Sequence, residues 1–271
     1  QERQLTCWGG NVEAIEVDGD FDQCQRLVKA AFAETSLASE LRLTSANSIN
    51  FGRLVAQLAY VAHAAVRVSA ITGAKPGFLI PTGNLGHGFA VLLARAMGLP
   101  VGPVVLATNA NPTLHDWHLG GRFEPRPSVA TLANAMDVGN PSNFERLAAL
   151  APELSAVRVE QISDAAIEAR IRLEYRSSGY VWCPHSATAV EAWSRLSEDT
   201  RAERPWIAAA TAHPYKFAQV VEPLIGRPID PSPALAAILD RPLRKLSIGA
   251  SLDQLAGALR HRPVPTAAAA A

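Results

Sequence analysis

The chain has 271 residues with 25 Lys+Arg against 25 Asp+Glu, a formal net charge of zero. That balance removes the electrostatic case for a nucleic-acid or anionic-membrane surface, because both need clustered positive charge to displace counterions. Hydrophobic residues make up 48% and charged residues 18%, so the chain can bury a sizeable core as one large domain or two small ones and is not compositionally disordered. Cys7, Cys24 and Cys183 are odd in number and lack CxxC spacing, which argues against a disulfide framework and a structural zinc site. A reducing cytoplasm is the expected compartment.

Val12 to Val17 loosely alternates apolar and polar residues, predicting a short strand that runs into the turn cluster Asp18-Gly19-Asp20. Asp20 with Gln23 three residues on reads as a capping box for a helix whose apolar positions Phe21, Cys24, Leu27, Val28, Ala31 and Phe32 share a face. After the polar stretch Ser45 to Asn50, a helix from about Phe51 to Thr72 is apolar on nearly all sides and is expected to be central. Its longest apolar tract, Leu54 to Val68, is interrupted by Gln57, His63 and Arg67 and falls short of the roughly 20 apolar residues a bilayer span needs. No basic and then apolar leader stands at the N-terminus, so no secretory signal is read, and the chain opens on Gln1 rather than methionine.

Gly77 to Ile80 predicts a short buried strand, followed by the turn Pro81 to Gly88, a helix from Phe89 to Met97 and a second buried strand from Val101 to Ala107. Strand, glycine-rich turn, helix and parallel strand make one crossover of an α/β sheet. The pattern repeats at Tyr180 to Cys183 with a helix from about Ser186, and at Trp206 to Ala210 with a helix from about Phe217. Ser142 and Glu145 read as another capping box, ahead of Arg146 and Leu147. The tail Thr266 to Ala271 is low in complexity and expected to fray.

The sharpest chemical signal is Gly83-Asn84-Leu85-Gly86-His87-Gly88 between a buried strand and a helix start. Glycines there let successive N–H groups converge on an anion, and the helix N-terminus adds partial positive charge. A phosphate fits, as does a tight turn that simply needs glycine. The turn is neither GxGxxG nor GxxxxGK[ST]. Thr108 to Asn111 and Thr211 to Pro214 also follow predicted strands, where ligands of open α/β sheets collect. Asn84, the Asn109 loop and Thr211 are therefore expected to converge on one cavity. His115 and His118 have no third ligand nearby, so no metal site is expected. Cys183-Pro184-His185 reads as structural, because a cysteine ending a buried strand usually acts as a small hydrophobe.

Taken together and in order, the segments Asp18 to Gln25, Ser45 to Asn50 with Arg53, Pro81 to Gly86, Ala107 to Asn111, Asn134 to Val138 with Ser142 to Arg146, Cys183 to His185, and Thr211 to Pro214 with Lys216 and Phe217 resemble the threonine synthase family. These are pyridoxal-phosphate enzymes of fold type II, the tryptophan synthase β-like class. The resemblance implies a three-layer α/β fold with an open, twisted, mostly parallel sheet. It divides the chain into a remnant of a small domain over 1–40, a large cofactor-binding domain over 41–265 and a disordered tail over 266–271.

By the same resemblance Gly83, Asn84, Leu85, Gly86 and His87 line the phosphate of pyridoxal 5'-phosphate, and Thr211 places its hydroxyl at the pyridine nitrogen. Ser45, Asn47, Asn50 and Arg53 are the candidates for holding the substrate phosphate, the arginine as a bidentate clamp. The implied reaction converts O-phospho-L-homoserine and water into L-threonine and phosphate, in a cytoplasmic monomer or homodimer that binds neither nucleic acid nor membrane. The sequence departs from the commoner pattern at Leu85, His87 and Pro112. The family's covalent cofactor lysine has no counterpart among Lys29, Lys75, Lys216 and Lys245, so no catalytic residue is assigned and the chain is expected to start inside the small domain. A non-catalytic binder of a phosphorylated metabolite, or another pyridoxal-phosphate lyase, are the alternatives.

Overall fold

Two groups of elements pack separately in the computed structural model, which describes residues 2–8, 11–150 and 157–261. In chain order the elements are α1 (Arg3–Thr6), β1 (Ala14–Asp18), α2 (Phe21–Ala33), α3 (Thr35–Leu41), α4 (Phe51–Thr72), β2 (Gly77–Pro81), α5 (Gly86–Ala96), β3 (Val104–Thr108) and α6 (Thr113–His118). They continue with α7 (Phe144–Ala149), β4 (Val157–Gln161), α8 (Asp164–Ser178), α9 (Pro184–Ser194), α10 (Glu198–Ala202), β5 (Trp206–Ala208), α11 (Ala218–Ile225), α12 (Pro233–Leu239), β6 (Lys245–Gly249) and α13 (Leu252–Arg260).

The first unit joins residues 1–44 to 231–271. Its β1 and β6 pair in parallel, Ala14 opposite Lys245 and Val17 opposite Ile248. Helix α2 opens on the predicted capping box: Asp20 accepts from the Gln23 N–H at 2.6 Å, and the Gln23 side chain accepts from the Asp20 N–H at 2.8 Å. Ala31 and Leu37 bury against Ala256 of α13. Residues 231–261 therefore belong with the N-terminal segment rather than with the 41–265 domain the resemblance implies, because β6 has its ladder partner in β1. The expected frayed tail 266–271 lies outside the described residues.

The second unit, 45–230, holds a four-stranded all-parallel sheet in the order β4-β3-β2-β5. Alternation along the strands sends Leu79, Val105 and Ala107 to one face, where Ile167, Ile171, Ala187, Ala189 and Val221 of α8, α9 and α11 cover them. Phe78, Ile80, Val104 and Leu106 point to the other face, toward Val61 and Ala65 of α4 and Val91 and Leu92 of α5. Both faces are covered, so β2 and β3 are buried at every position, as a parallel sheet requires. The result is a three-layer α/β unit.

Several sequence expectations change here. Helix α4 is not central. Only Leu54, Val61 and Ala65 are buried along its 22 residues, and Phe51, Val55, Tyr60, Val66 and Ile71 are exposed. It is the one helix among the described residues long and apolar enough to cross a membrane by length and composition. Tyr180 to Cys183 forms no strand. It is an extended entry to α9, which starts at Pro184. The third neighbour of the sheet is β4, at 157–161, where Arg158 and Glu160 hide the strand signal. Ser142 does not cap α7, because its amide and hydroxyl both donate to Asn84 Oδ1, at 3.0 and 3.2 Å.

Candidate active site

β2 ends at Pro81, and the chain turns through Thr82 to Leu85 into α5. Leu85 caps that helix in the left-handed region, φ 64° and ψ −1°. Its side chain, 1% exposed, is buried with Ile80, Leu92 and Leu106. This conformation aims the first amides of α5 outward: the N–H groups of Gly86, His87 and Gly88 meet no acceptor among the described residues. Three free amides at a helix N-terminus form a cradle for an anion. Glycine is needed at 83 because a Cβ there would stand 2.8 Å from Met136 Cα. At 86 a Cβ would stand 3.0 Å from Ser48 Cβ.

The cradle opens into a cavity of about 960 Å³ whose lining includes Asn47, Arg53, Gln57, Tyr60, Thr82 to His87, Ala135, Met136, His185 and Thr211. Of the residues singled out from the sequence, Gly83, Asn84, Leu85, Gly86, His87, Thr211, Asn47 and Arg53 are thus brought together. Ser45 and Asn50 do not line it. Ser45 Oγ accepts from the Asn47 N–H at 3.1 Å, and Asn50 donates to Ser45 O at 2.7 Å while capping α4 at the Gly52 N–H, 2.9 Å. Both side chains are spent on shaping the turn. Arg53 itself donates to Ala46 O at 3.0 Å.

The Asn109 loop, expected at the cavity, lies behind it. Asn109 is fully buried and donates to Thr131 Oγ1 at 2.8 Å and to Asp137 Oδ1 at 2.7 Å. Asn111 donates to Val129 O at 3.0 Å. Asp137 also accepts from the Thr131 amide and hydroxyl, at 3.0 and 2.7 Å. Burial pushes the Asp137 carboxyl above its ordinary range, against these hydrogen bonds. The network braces the turn at Asn134–Met136, so that Ala135 and Met136 form a cavity wall.

His185 completes that wall, a role the sequence did not reveal. Its Nε2 accepts from the Ala135 N–H at 3.0 Å, which puts the ring proton on Nδ1 in the neutral imidazole. Burial, with Lys216 nearby, lowers its pKa to about 4. Burial also lowers His87 to about 4, with its ring edge-on to Tyr60 at 5.4 Å. Both rings are therefore neutral at pH 7. Thr211 is joined to α9: its amide donates to Ser186 Oγ at 3.0 Å, and its hydroxyl lies 3.3 Å from Ser186 Oγ and 3.6 Å from Cys183 Sγ. The contact between 183 and 211 spans 28 residues and leaves no local signal.

The glycine cradle at the strand end and the Thr211 hydroxyl share one cavity, placed at the strand ends where ligands of parallel α/β sheets collect. Residues 1–210 match the family described as pyridoxal-phosphate dependent enzyme, and the chain belongs to that family. Residues 186–257 match the C-terminal region of threonine synthase. The threonine synthase of Serratia marcescens is 37% identical over 259 residues, covering 94% of this chain and 59% of that protein. The crystal structure of threonine synthase from Escherichia coli superposes with a TM-score of 0.88 at 35% identity, over 96% of this chain and 60% of that one. A pyridoxal-phosphate-bound threonine synthase from Brucella melitensis gives 0.82 at 30% identity, over 96% and 62%. The chain thus spans about 60% of the length of these relatives.

Proposed function

We propose that this chain carries the cofactor-binding portion of a threonine synthase, a cytoplasmic enzyme that turns O-phospho-L-homoserine and water into L-threonine and phosphate. The observation that carries the reading is the set of free Gly86, His87 and Gly88 amides opening on a cavity that Asn84 and Thr211 share. Pyridoxal 5'-phosphate fits this donor set: neutral amides and a helix N-terminus for a phosphate, and a hydroxyl for a ring nitrogen.

In that reading Gly83 to His87 bind the cofactor phosphate, and neutral His87 closes the cradle without adding charge. Thr211, oriented by Ser186 and Cys183, bonds the ring nitrogen from its hydroxyl and leaves the ring unprotonated there. Met136 and Ala135 form one wall, held by His185 and Asp137. Asn47 and Arg53, at the cavity rim, bind the substrate phosphate; Ser45 and Asn50 keep their turn in shape. When bound, the cofactor would supply an electron sink for the carbanions formed by deprotonation at Cα and then at Cβ, the second of which expels phosphate from Cγ. Moving protons between substrate atoms needs a base such as the family's cofactor lysine. None of Lys29, Lys75, Lys216 and Lys245 lines the cavity, so in this reading none of the four is placed as that base.

Incubation of the purified chain with pyridoxal phosphate tests this. The expected result is reversible binding lost on dialysis, no adduct on any lysine after borohydride, and no threonine formation by the chain alone. Absence of any binding would remove the cofactor reading. A borohydride-fixed adduct on Lys216 together with phosphohomoserine turnover would make Lys216 the catalytic lysine and overturn the division of labour.

A further inference from the structure

Arg146, on the short helix α7, is half-buried and faces no carboxylate: within salt-bridge distance it has no acidic partner among the described residues. Its fork is filled instead by neutral acceptors on two different segments. One nitrogen, Nη1, donates to Ser48 O at 2.7 Å and to Asn143 Oδ1 at 2.5 Å; the other, Nη2, donates to Ile49 O at 2.7 Å. Asn143, fully buried, then donates from Nδ2 to Asn84 O at 2.9 Å. Ser142 donates its amide and hydroxyl to Asn84 Oδ1. A continuous path therefore runs from the Ser45 to Asn50 turn, through Arg146 and Asn143, to the turn that cradles the anion.

The two turns also touch directly, since a Cβ at Gly86 would meet Ser48 Cβ at 3.0 Å and Asn143 Nδ2 at 3.6 Å. Arg146 is not part of the cavity lining. It touches neither ligand position and acts through the two turns. A guanidinium suits this place, because its planar fork donates in several fixed directions at once while keeping its charge.

We propose that Arg146 is a positioning residue that locks the Ser45 to Asn50 turn to the Asn84 to Gly86 turn, so that filling the anion cradle orders Asn47 and Arg53 for the second, phosphorylated ligand. The functional half of this statement rests on the reading above; the mechanical half does not. Amide hydrogen exchange on the full chain separates them. In the free protein, Arg146→Gln is expected to speed exchange of the Ile49 and Asn50 amides at least about tenfold, the factor that one charge-assisted hydrogen bond carries. The amides of Val105 and Leu106 in β3 stay as they are.

Adding pyridoxal phosphate to the unmodified chain is expected to slow both Gly86 to Gly88 and Ile49 to Asn50. In Arg146→Gln only the first segment slows. Arg146→Lys keeps the charge and loses the fork, and is expected to behave like the glutamine variant. Unchanged exchange at Ile49 and Asn50 in the glutamine variant overturns the proposal. So does equal acceleration in β3, which is the mark of a merely structural role, and so does full rescue by lysine. If pyridoxal phosphate slows nothing at Gly86 to Gly88, the cofactor reading fails, and the free-protein comparison still decides the mechanical role of Arg146.

Discussion

Leu85 sets two energies against each other, and their difference is measurable. Its backbone sits at φ 64°, which costs a residue with a Cβ about 1 kcal/mol relative to glycine. Its side chain is 1% exposed in the cluster beneath α5, and truncating such a leucine costs about 2–5 kcal/mol in transfer and cavity terms. Burial therefore wins. Leu85→Gly is expected to destabilise the second unit by about 1–4 kcal/mol despite relieving the strain. The sharper comparison is with Leu85→Ala, which loses nearly the same burial but keeps the left-handed penalty. Glycine, normally the worse residue at an ordered position by about 0.5–1 kcal/mol, should here be the better of the two by about 1 kcal/mol. Equilibrium urea unfolding followed by the fluorescence of Trp182, Trp193 and Trp206, all in this unit, reads both differences. A glycine variant as stable as the parent, or an alanine variant more stable than glycine, would refute the account of the cap.

Acidification is a second probe: His87 and His185 titrate at about 4 in the folded chain against 6.5 when unfolded. The unfolded chain then binds more protons between those values, so stability is full above pH 6.5 and falls through the window by up to about 3 kcal/mol per histidine. Urea midpoints at pH 7 and pH 5 check this; His185→Gln, which keeps an acceptor for the Ala135 amide, should flatten the dependence, and a parent protein insensitive to pH in that range would count against it. Asp137→Ala strips the acceptor from Thr131 N–H, Thr131 Oγ1 and Asn109 Nδ2, an expected loss of about 3 kcal/mol seen in thermal melting. Gly83→Ala pushes a Cβ onto Met136 Cα and should weaken pyridoxal-phosphate binding by about tenfold or more, in a fluorescence titration. Its control, Gly257→Ala in α13, meets nothing within 4 Å and should stabilise the first unit by about 0.5–1 kcal/mol; equal binding by Gly83→Ala and the parent would remove the cradle argument.

The elements that the amino-acid sequence determines by itself are those whose causes are local. Asp20 and Gln23 are three residues apart and close their own capping box. The unbroken apolar runs of β2 and β3 report strands buried on both faces, and glycines at a strand-to-helix junction report a turn in which backbone must come close. The close turn that leads from β2 into α5 was legible for that reason. Tertiary structure decided whatever depends on a partner far along the chain. Apolar periodicity says that α4 is a helix but not which of its sides has a neighbour, and only the stripe of Leu54, Val61 and Ala65 is covered. Ser142 has a good cap composition, yet Asn84, 58 residues away, takes both of its donors. Tyr180 to Cys183 has strand-like residues but no ladder partner, whereas β4, with charged alternate residues, finds one in β3. His185, Asp137 and Arg146 are ordinary polar residues until folding brings them against Ala135, Asn109 and Ser48. A hydrogen bond across the fold depends on geometry that no local spacing encodes.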